Sequence, residues 1–489
     1  MSIRLLPILL ASLSPALLAA EPVYELAQVD GVRVGSRVVT TAEDGKNERT
    51  TATLDLSLRR YGTLVRLRRE DASVESLENV VLGVSMRQGI PGGKQLIITG
   101  RLDDEKMIVQ VDDRPARRLI WSKDVVGLRQ QDRMWAERKP KPGDTFDFRR
   151  YEPMYNTVLT IRVAVKEKET VDVAGTKRSL LRVEMIPDKL EAPGVRISPP
   201  VAIVWLDDSF VPLRRETQLD GLGTLTLTRS TKEKAVAGGA TLDIGSRSLV
   251  ALNQPILRPY DTRKVTYRIT VKGEDKPSSL FVLDEHQRAS NEKGDAFDLT
   301  VQPMRTGKAD DAKIGDEYLR SSHFIDCEDE RVVELARRAV GGEREPWKKA
   351  LKIERWVKNA MRNDNAADLV PASRIARNLR GDCRHHAFLT AAMCRAVGVP
   401  SRTAIGLLYV YRGGPHFGFH TWAEVHIDGR WVGIDSTQGR GGVSATHLKI
   451  THHSWNGTES LTPLLPVNRI LGKLRIEVLR AEFDDKVTR

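Results

Sequence analysis

The sequence predicts a multidomain α+β protein, with an N-terminal antiparallel β-rich region followed by a C-terminal α+β domain. Three features lead there. The chain has 489 residues, room for two to four domains at roughly 100–200 residues each. Up to about Lys234, apolar residues alternate with polar ones, the period of half-buried strands. From about Asp316 the apolar spacing becomes that of amphipathic helices. Five segments are expected: a leader at 1–20, an antiparallel β-rich domain at 21–235, a linker and small β-rich domain at 236–310, the α+β domain at 311–475, and a C-terminal strand or tail at 476–489.

The leader "MSIRLLPILLASLSPALLAA" has one early Arg, an apolar stretch from Leu5 to Leu18, and small residues before Glu21. That is the layout of a secretory signal peptide, with cleavage expected near Ala20. Pro7, Ser12, Ser14 and Pro15 interrupt a run already near the minimum for spanning a bilayer. The mature chain is therefore expected to be periplasmic or secreted, with no transmembrane span.

In the β-rich region "TLDLSLRR", "LTIRVAVKE" and "LTLTRS" alternate cleanly, and clusters such as "IPGGK" and "KPKPGD" separate such runs. One apolar face per strand suggests an open or partly curled antiparallel sheet. Residues 1–285 contain neither Cys nor His, so this region offers no readable chemistry. "AVAGGATLDIGS" reads as a linker, and "RKVTYRITV" and "AFDLTVQ" as further strands.

Helices then take over. "ERVVELARRAVGG" places Val332, Leu335, Ala336 and Ala339 on one face and stops at Gly341 and Gly342. "PWKKALKIERWVKNAM" opens with Pro346 and aligns Ala350, Ile353, Val357 and Met361. "PASRIARNLR" is a third, short helix.

Composition narrows the function classes. With 40% hydrophobic and 29% charged residues, the chain is ordinary globular protein. Its net charge of +12 is compatible with anionic envelope polymers or acidic substrates, but Lys and Arg are dispersed and form no nucleic-acid module, so a solvated basic surface is the default reading. Three cysteines in an exported chain do not make a disulfide scaffold, and the odd count leaves at least one thiol unpaired in a monomer.

Two of those cysteines share "RGDCRHHAFLTAAMCRAVGVPSR". A helix from about Cys383 to Val397 is expected, with Asp382 as N-cap and Gly398 and Pro400 closing it. Its near-continuous apolar surface marks it as buried. Cys383 then stands at a helix N-terminus, where the dipole and orphan N–H groups favour a thiolate. Cys394 lies about 16 Å further along the axis, too far for a disulfide with Cys383. It reads as a packing residue, and Cys327 can pair with it or stay free. "CRHH" lacks the paired ligand spacing of a structural zinc site, and His416 and His420 sit among glycines, so no metal or cofactor is expected.

A nucleophilic Cys needs a base and a group to orient it. In "FHTWAEVHIDGRWVGIDST", Asp428–Gly429 is a two-residue hairpin turn. A tight turn sets Ile427 opposite Arg430 and Asp435 opposite Trp422. His420 and Asp435 then share a face as diagonal neighbours, whereas a one-residue slip would separate them. His386, three residues after Cys383, is the competing base but has no evident carboxylate orienter. His385 and His426 read as incidental.

These residues resemble the transglutaminase-like superfamily of papain-like cysteine enzymes. The matching text is "GDCRHHAFLTAAMCRAVGVPSRTAIGLLYV" followed by "HTWAEVHIDGRWVGIDST", within roughly Asp316 to His453. The resemblance implies Cys383 as nucleophile, His420 as general base and acid, and Asp435 as orienter. Trp422, His386 and Asp382 become candidates for pocket or oxyanion support, as does the polar Asn365. "RHH" directly after the Cys departs from many members, which touches specificity rather than the triad. The implied partners are protein or peptide amides, including cell-envelope material, with either an amine or water resolving a thioester. The rival expectation is an envelope-binding scaffold with the same fold and little turnover.

Overall fold

A computed structural model describes residues 20–483, except 44, 61, 90–95, 113–114, 193–194, 198, 220–222, 238–241, 244, 246–247, 304–313, 366–369, 457–466, 468–469 and 471. The leader, the tail beyond Phe483 and part of the "AVAGGATLDIGS" linker lie outside the described residues. No described helix is long and apolar enough to cross a membrane. The architecture is α+β: antiparallel sheet in the front half, with the helices concentrated in the back half.

The alternating segments form two meanders that meet edge to edge. The first runs through β1 (Val23–Val29), β2 (Val32–Glu43), β3 (Asn47–Arg60), β4 (Thr63–Ser76), β5 (Val81–Gly89), β6 (Leu96–Asp103), β7 (Lys106–Val111) and β8 (Arg117–Ile120). The second runs through β9 (Thr145–Glu152), β10 (Thr157–Val173), β11 (Thr176–Pro187), β12 (Ala202–Leu206), β13 (Pro212–Leu219) and β14 (Gly223–Ser230). β14 pairs antiparallel with β1, from Tyr24 opposite Ser230 to Val29 opposite Leu225, and so joins them into one sheet.

The sheet curls, as right-handed strand twist demands of so many strands. Its two outer ends approach each other: Val125, just past β8, bridges Arg149 of β9, and Trp121 packs on Tyr151 at 5.8 Å. Inside the curl lies α1 (Leu128–Arg138), with Met134 and Trp135 buried. Gly127 before it offers no side-chain cap, so the sheet supplies one. Glu75, 1% exposed, accepts the Arg129 and Gln130 N–H groups at 2.9 Å, and Ser73 Oγ accepts that of Leu128 at 2.9 Å. Orphan helix-start donors are thus satisfied across 54 or more residues of sequence.

The back half builds on two further sheets. β15 (Val250–Ala251), β19 (Ser401–Tyr411), β20 (Pro415–Ile427), β21 (Arg430–Ile434) and β22 (His447–His453) make a five-stranded sheet. β16 (Thr262–Val271), β17 (Gln287–Lys293), β18 (Ala296–Val301) and the C-terminal β23 (Leu474–Phe483) make a four-stranded one. Among the described residues four α-helices complete it: α2 (Glu330–Val340), α3 (Pro346–Ala360), α4 (Ala372–Asn378) and α5 (Cys383–Ala396). α5 is buried along nearly its whole length and packs on β20.

One hydrophobic core runs from Val265 and Phe297 through the helices to Leu448 and Val478. Residues 250–301 and β23, which the sequence reading set apart as a small unit and a tail, therefore pack into the same body as the helices. The cause is topological: β23 pairs with β16 across two hundred residues of sequence, a contact no local pattern announces. Gln287 adds a second tie. Its side-chain amide imitates a peptide unit on the edge of β22, donating to Lys449 O at 2.5 Å and accepting Lys449 N–H at 2.8 Å. An edge strand is thereby covered and held in place.

Gly406 in β19 sits where a β-carbon would lie 1.9 Å from Leu448 O and 3.0 Å from the Trp422 ring. The register of β19 with β22 shifts at Ile405/Gly406, and the missing side chain leaves room for the Leu448 carbonyl there. Gly406→Ala is expected to lower stability by about 1–3 kcal/mol, the usual cost of overpacking. Urea unfolding monitored by tryptophan fluorescence measures the loss.

Candidate active site

Cys383 occupies the first position of α5, half-buried, with Asp382 as the N-cap. Asp382 Oδ1 accepts the Arg384 N–H at 3.0 Å, and His385 Nδ1 takes up the Asp382 N–H at 3.1 Å, closing a reciprocal cap. His385 is therefore structural rather than incidental: it is fully buried, and its ring fills the space a side chain at Gly381 would need. A His in place of the usual Glu or Gln concealed this capping box from pattern reading. The Arg384 guanidinium folds back on Asp382, at 2.6 Å from Oδ2, and neutralises it. The Cys383 N–H lies ahead of the donors this cap consumes.

The hairpin has the register expected from its turn, Ile427 opposite Arg430 through Ala423 opposite Ile434. Asp428 and Gly429 both take positive φ, 50° and 81°, as a turn of this type requires. One step further, His420 and Asp435 meet on the same face, Nε2 to Oδ2 at 2.9 Å. Cys383 stands near enough to the same imidazole to be among the groups that raise its pKa. Helix start and strand thus bring Cys383, His420 and Asp435 into one chain of contacts.

The site is dry on the acid side. His420 is 8% exposed and Asp435 1%. Burial alone would lower the basicity of His420, but the Asp435 carboxylate and then Cys383 outweigh it and lift its pKa to about 10. Burial pushes Asp435 the other way from His420, whose charge and hydrogen bond, helped by His447, hold the carboxyl well below its usual range.

His447 was not singled out from the sequence. Its Nε2 lies 3.2 Å from Asp435 Oδ2, on the oxygen His420 also uses. Ser444 N–H donates to its Nδ1 at 3.3 Å, so Nε2 carries the proton and donates to Asp435. Burial keeps this imidazole below its ordinary pKa and hence neutral. Thr437 covers the other carboxylate oxygen with its N–H at 2.9 Å and its hydroxyl at 2.7 Å. Glu354 of α3, also unremarked in the sequence, accepts the backbone N–H of Asp435 at 3.1 Å and of Gly441 at 2.8 Å. Burial, more than neighbouring charge, raises its pKa to about 7. Only the apolar face of α3 pointed inward in the pattern, and Glu354 broke it.

The remaining candidates divide. Trp422 is 1% exposed and stacks on His420 at 6.3 Å, with its edge toward His447. It seals the back of the imidazole rather than lining an open pocket. His386 is also buried, bonded through Nδ1 to the Asp382 carbonyl at 3.0 Å, and burial lowers its pKa. That bond turns its Nδ1 back along α5. Thr390 and Ser436 join this helix to the Asp435 turn, at 2.8 Å between hydroxyls. Asn365 is half-buried just beyond the short pairing of Arg362–Asn363 with Arg380–Gly381. Cys327 and Cys394 are both free and buried. His420, Asp435 and His447 offer ligand atoms within 4.8 Å of one another, a set that could hold a cation. Here the same atoms are joined by hydrogen bonds.

Residues 333–436 match the family model of the transglutaminase-like superfamily. Kyphoscoliosis peptidase of Mus musculus is 37% identical over 82 residues, 16% of this chain and 12% of that protein, so the chain spans a small part of the relative. A crystal structure of a cysteine-protease candidate from Cytophaga hutchinsonii overlaps 46% of this chain and 89% of its own, at 16% identity and TM-score 0.30. A β-barrel-like protein of unknown function from Brucella abortus overlaps 43% and 95%, at 10% identity and TM-score 0.33. The matched segment contains Cys383, His420 and Asp435, and over residues 333–436 the chain carries a domain of the transglutaminase-like superfamily.

Proposed function

We propose that the protein is an exported cysteine acyl-transfer enzyme acting on protein or peptide amides, envelope material among them. The observation that carries this reading is His420, hydrogen-bonded to the buried carboxylate of Asp435 and with Cys383 among the neighbours that raise its pKa. Such a nucleophile, base and orienter are what covalent catalysis requires.

The Cys383 sulfur attacks the amide carbonyl, forming the S–C bond and placing negative charge on the oxygen. This reading assigns that charge to the N–H groups at the start of α5, that of Cys383 among them. Protonated His420 gives its proton to the leaving nitrogen as the C–N bond breaks, and a thioester remains. An amine or water, deprotonated by His420, then attacks the thioester carbonyl and releases the thiolate. Attack by a lysyl amine gives transamidation; attack by water gives hydrolysis. Asp435 fixes the imidazole through Nε2 and stays ionised throughout, as the carboxylate does in other such triads. Trp422 excludes water from that pair, which strengthens the attraction between them.

Incubation with a glutaminyl peptide, with and without a primary amine, tests the reading by mass spectrometry. The expected result is an acyl adduct on Cys383 that Cys383→Ala abolishes, with Asp435→Asn lowering kcat by roughly 100-fold to 10,000-fold. No adduct with any peptide amide would overturn it.

His447 acts in this scheme as a positioning residue. His447→Ala removes one donor from a charged acceptor, a loss of about 1.5–3 kcal/mol if felt wholly in the transition state. The expected outcome is a fall in kcat of roughly 10-fold or more with KM unchanged. His447→Gln, which keeps an N–H donor, should recover most of it.

A further inference from the structure

The curl of the N-terminal sheet encloses a cavity of about 500 Å³, lined from ten of its strands and from the start of α1. That volume lies within the range of small-molecule sites, roughly 300–1,000 Å³, and a curled sheet of this kind can hold a single ligand in its interior. Much of the wall is apolar, with Leu54, Leu159, Met185 and Val204 facing in from β3, β10, β11 and β12.

The charged part of the wall is mostly basic. Arg37, Arg69, Arg150 and Arg215 converge on the cavity from β2, β4, β9 and β13. Each is half-buried and held in place by an acid. Arg69 grips Asp71 at 2.8 and 2.9 Å, Arg150 meets Glu152 at 3.3 Å, Arg37 meets Glu25 at 2.6 Å, and Arg215 meets Glu25 and Asp132. Only Asp71 and Glu152 of those acids line the cavity, so its wall carries four guanidinium groups against two carboxylates. A paired guanidinium retains further N–H donors beyond those its carboxylate uses. Glu25 and Asp132, which are not part of the lining, hold Arg37 and Arg215 in place, a preorganisation that lowers the cost of binding.

Trp121 adds an independent sign. It lines the same cavity and is 5% exposed, yet its indole N–H has no acceptor among the described residues. A buried donor left without a partner costs about 1–3 kcal/mol, and such groups are rare in folded proteins. A bound acceptor in the cavity would satisfy it.

We infer that this cavity is a binding site for an anionic amphiphile, an aliphatic chain ending in a carboxylate or phosphate. The chain lies against Leu54, Leu159, Met185 and Val204, and the head takes donors from the arginines and Trp121. The site is separate from the Cys383 centre and does not depend on its chemistry.

Titration of the full-length protein with palmitate, below its aggregation limit, tests this by calorimetry and tryptophan fluorescence. Palmitate is expected to saturate one class of sites with Kd below about 10 μM. Hexadecanol should bind at least roughly 10-fold more weakly, and acetate or inorganic phosphate should not compete, since neither brings a chain. Val204→Trp, which fills the cavity, should weaken palmitate at least roughly 10-fold while Cys383 acylation is unchanged, and Leu159→Phe repeats the test should the first variant misfold. Absence of saturable palmitate binding would overturn the site. Palmitate affinity unchanged in both filling variants would do the same. Equal affinity for hexadecanol would overturn the anionic head.

Discussion

The back half of the molecule is organised around one buried carboxylate. Asp435 has 1% of its surface exposed, and its two oxygens accept from His420, His447, the Thr437 hydroxyl and the Thr437 N–H. A buried anion is tolerable only when its acceptor capacity is filled and an opposite charge stands close. Asp435 meets both conditions, and the opposite charge is the protonated ring of His420. The contribution of His420 to stability is complete below its ordinary range near pH 6.5 and is lost as pH rises through about 10. That of Asp435 is present above its ordinary range and is lost only as pH falls through its depressed value. The pair is therefore intact across the whole neutral range.

Several parts of the fold make sense as supports for that pair. The Asp428–Gly429 turn sets the register that puts His420 and Asp435 on one face. Glu354 reaches from α3 to the Asp435 backbone, and Ser436 ties the same turn to α5 through Thr390. Gly406 of β19 leaves room for the Leu448 carbonyl of β22, the strand that carries His447, and Gln287 fixes that strand from outside. The last of these comes from β17, in a segment over a hundred residues before His420. The small sheet is thus part of the site's frame, which fits its sharing one core with the helices.

How much of this the sequence revealed follows from how local each contact is. Alternation and turn residues marked the strands, and spacing with end signals marked α2, α3, α4 and α5 within a residue or two. The His420–Asp435 contact was legible because a two-residue turn fixes a register across fifteen residues. His447 was not, since its strand is placed through β19, not through a turn beside His420. Glu354 and Glu75 were hidden for a related reason: both are buried acids that accept backbone N–H groups far off in sequence. Polar residues on an apolar face read as pattern noise until the partner is known. The pairing of β14 with β1, which closes the two meanders into a curl with an interior, belongs to the same class of distant contacts.

The central claim is that Asp435 keeps His420 protonated beside Cys383 at neutral pH. Titration of the His420 imidazole by nitrogen-15 NMR in the native protein measures this directly. The account predicts an imidazolium that persists through neutral pH and loses its proton near pH 10, in line with the raised value of about 10. Titration at or below the ordinary value of about 6.5 would contradict it.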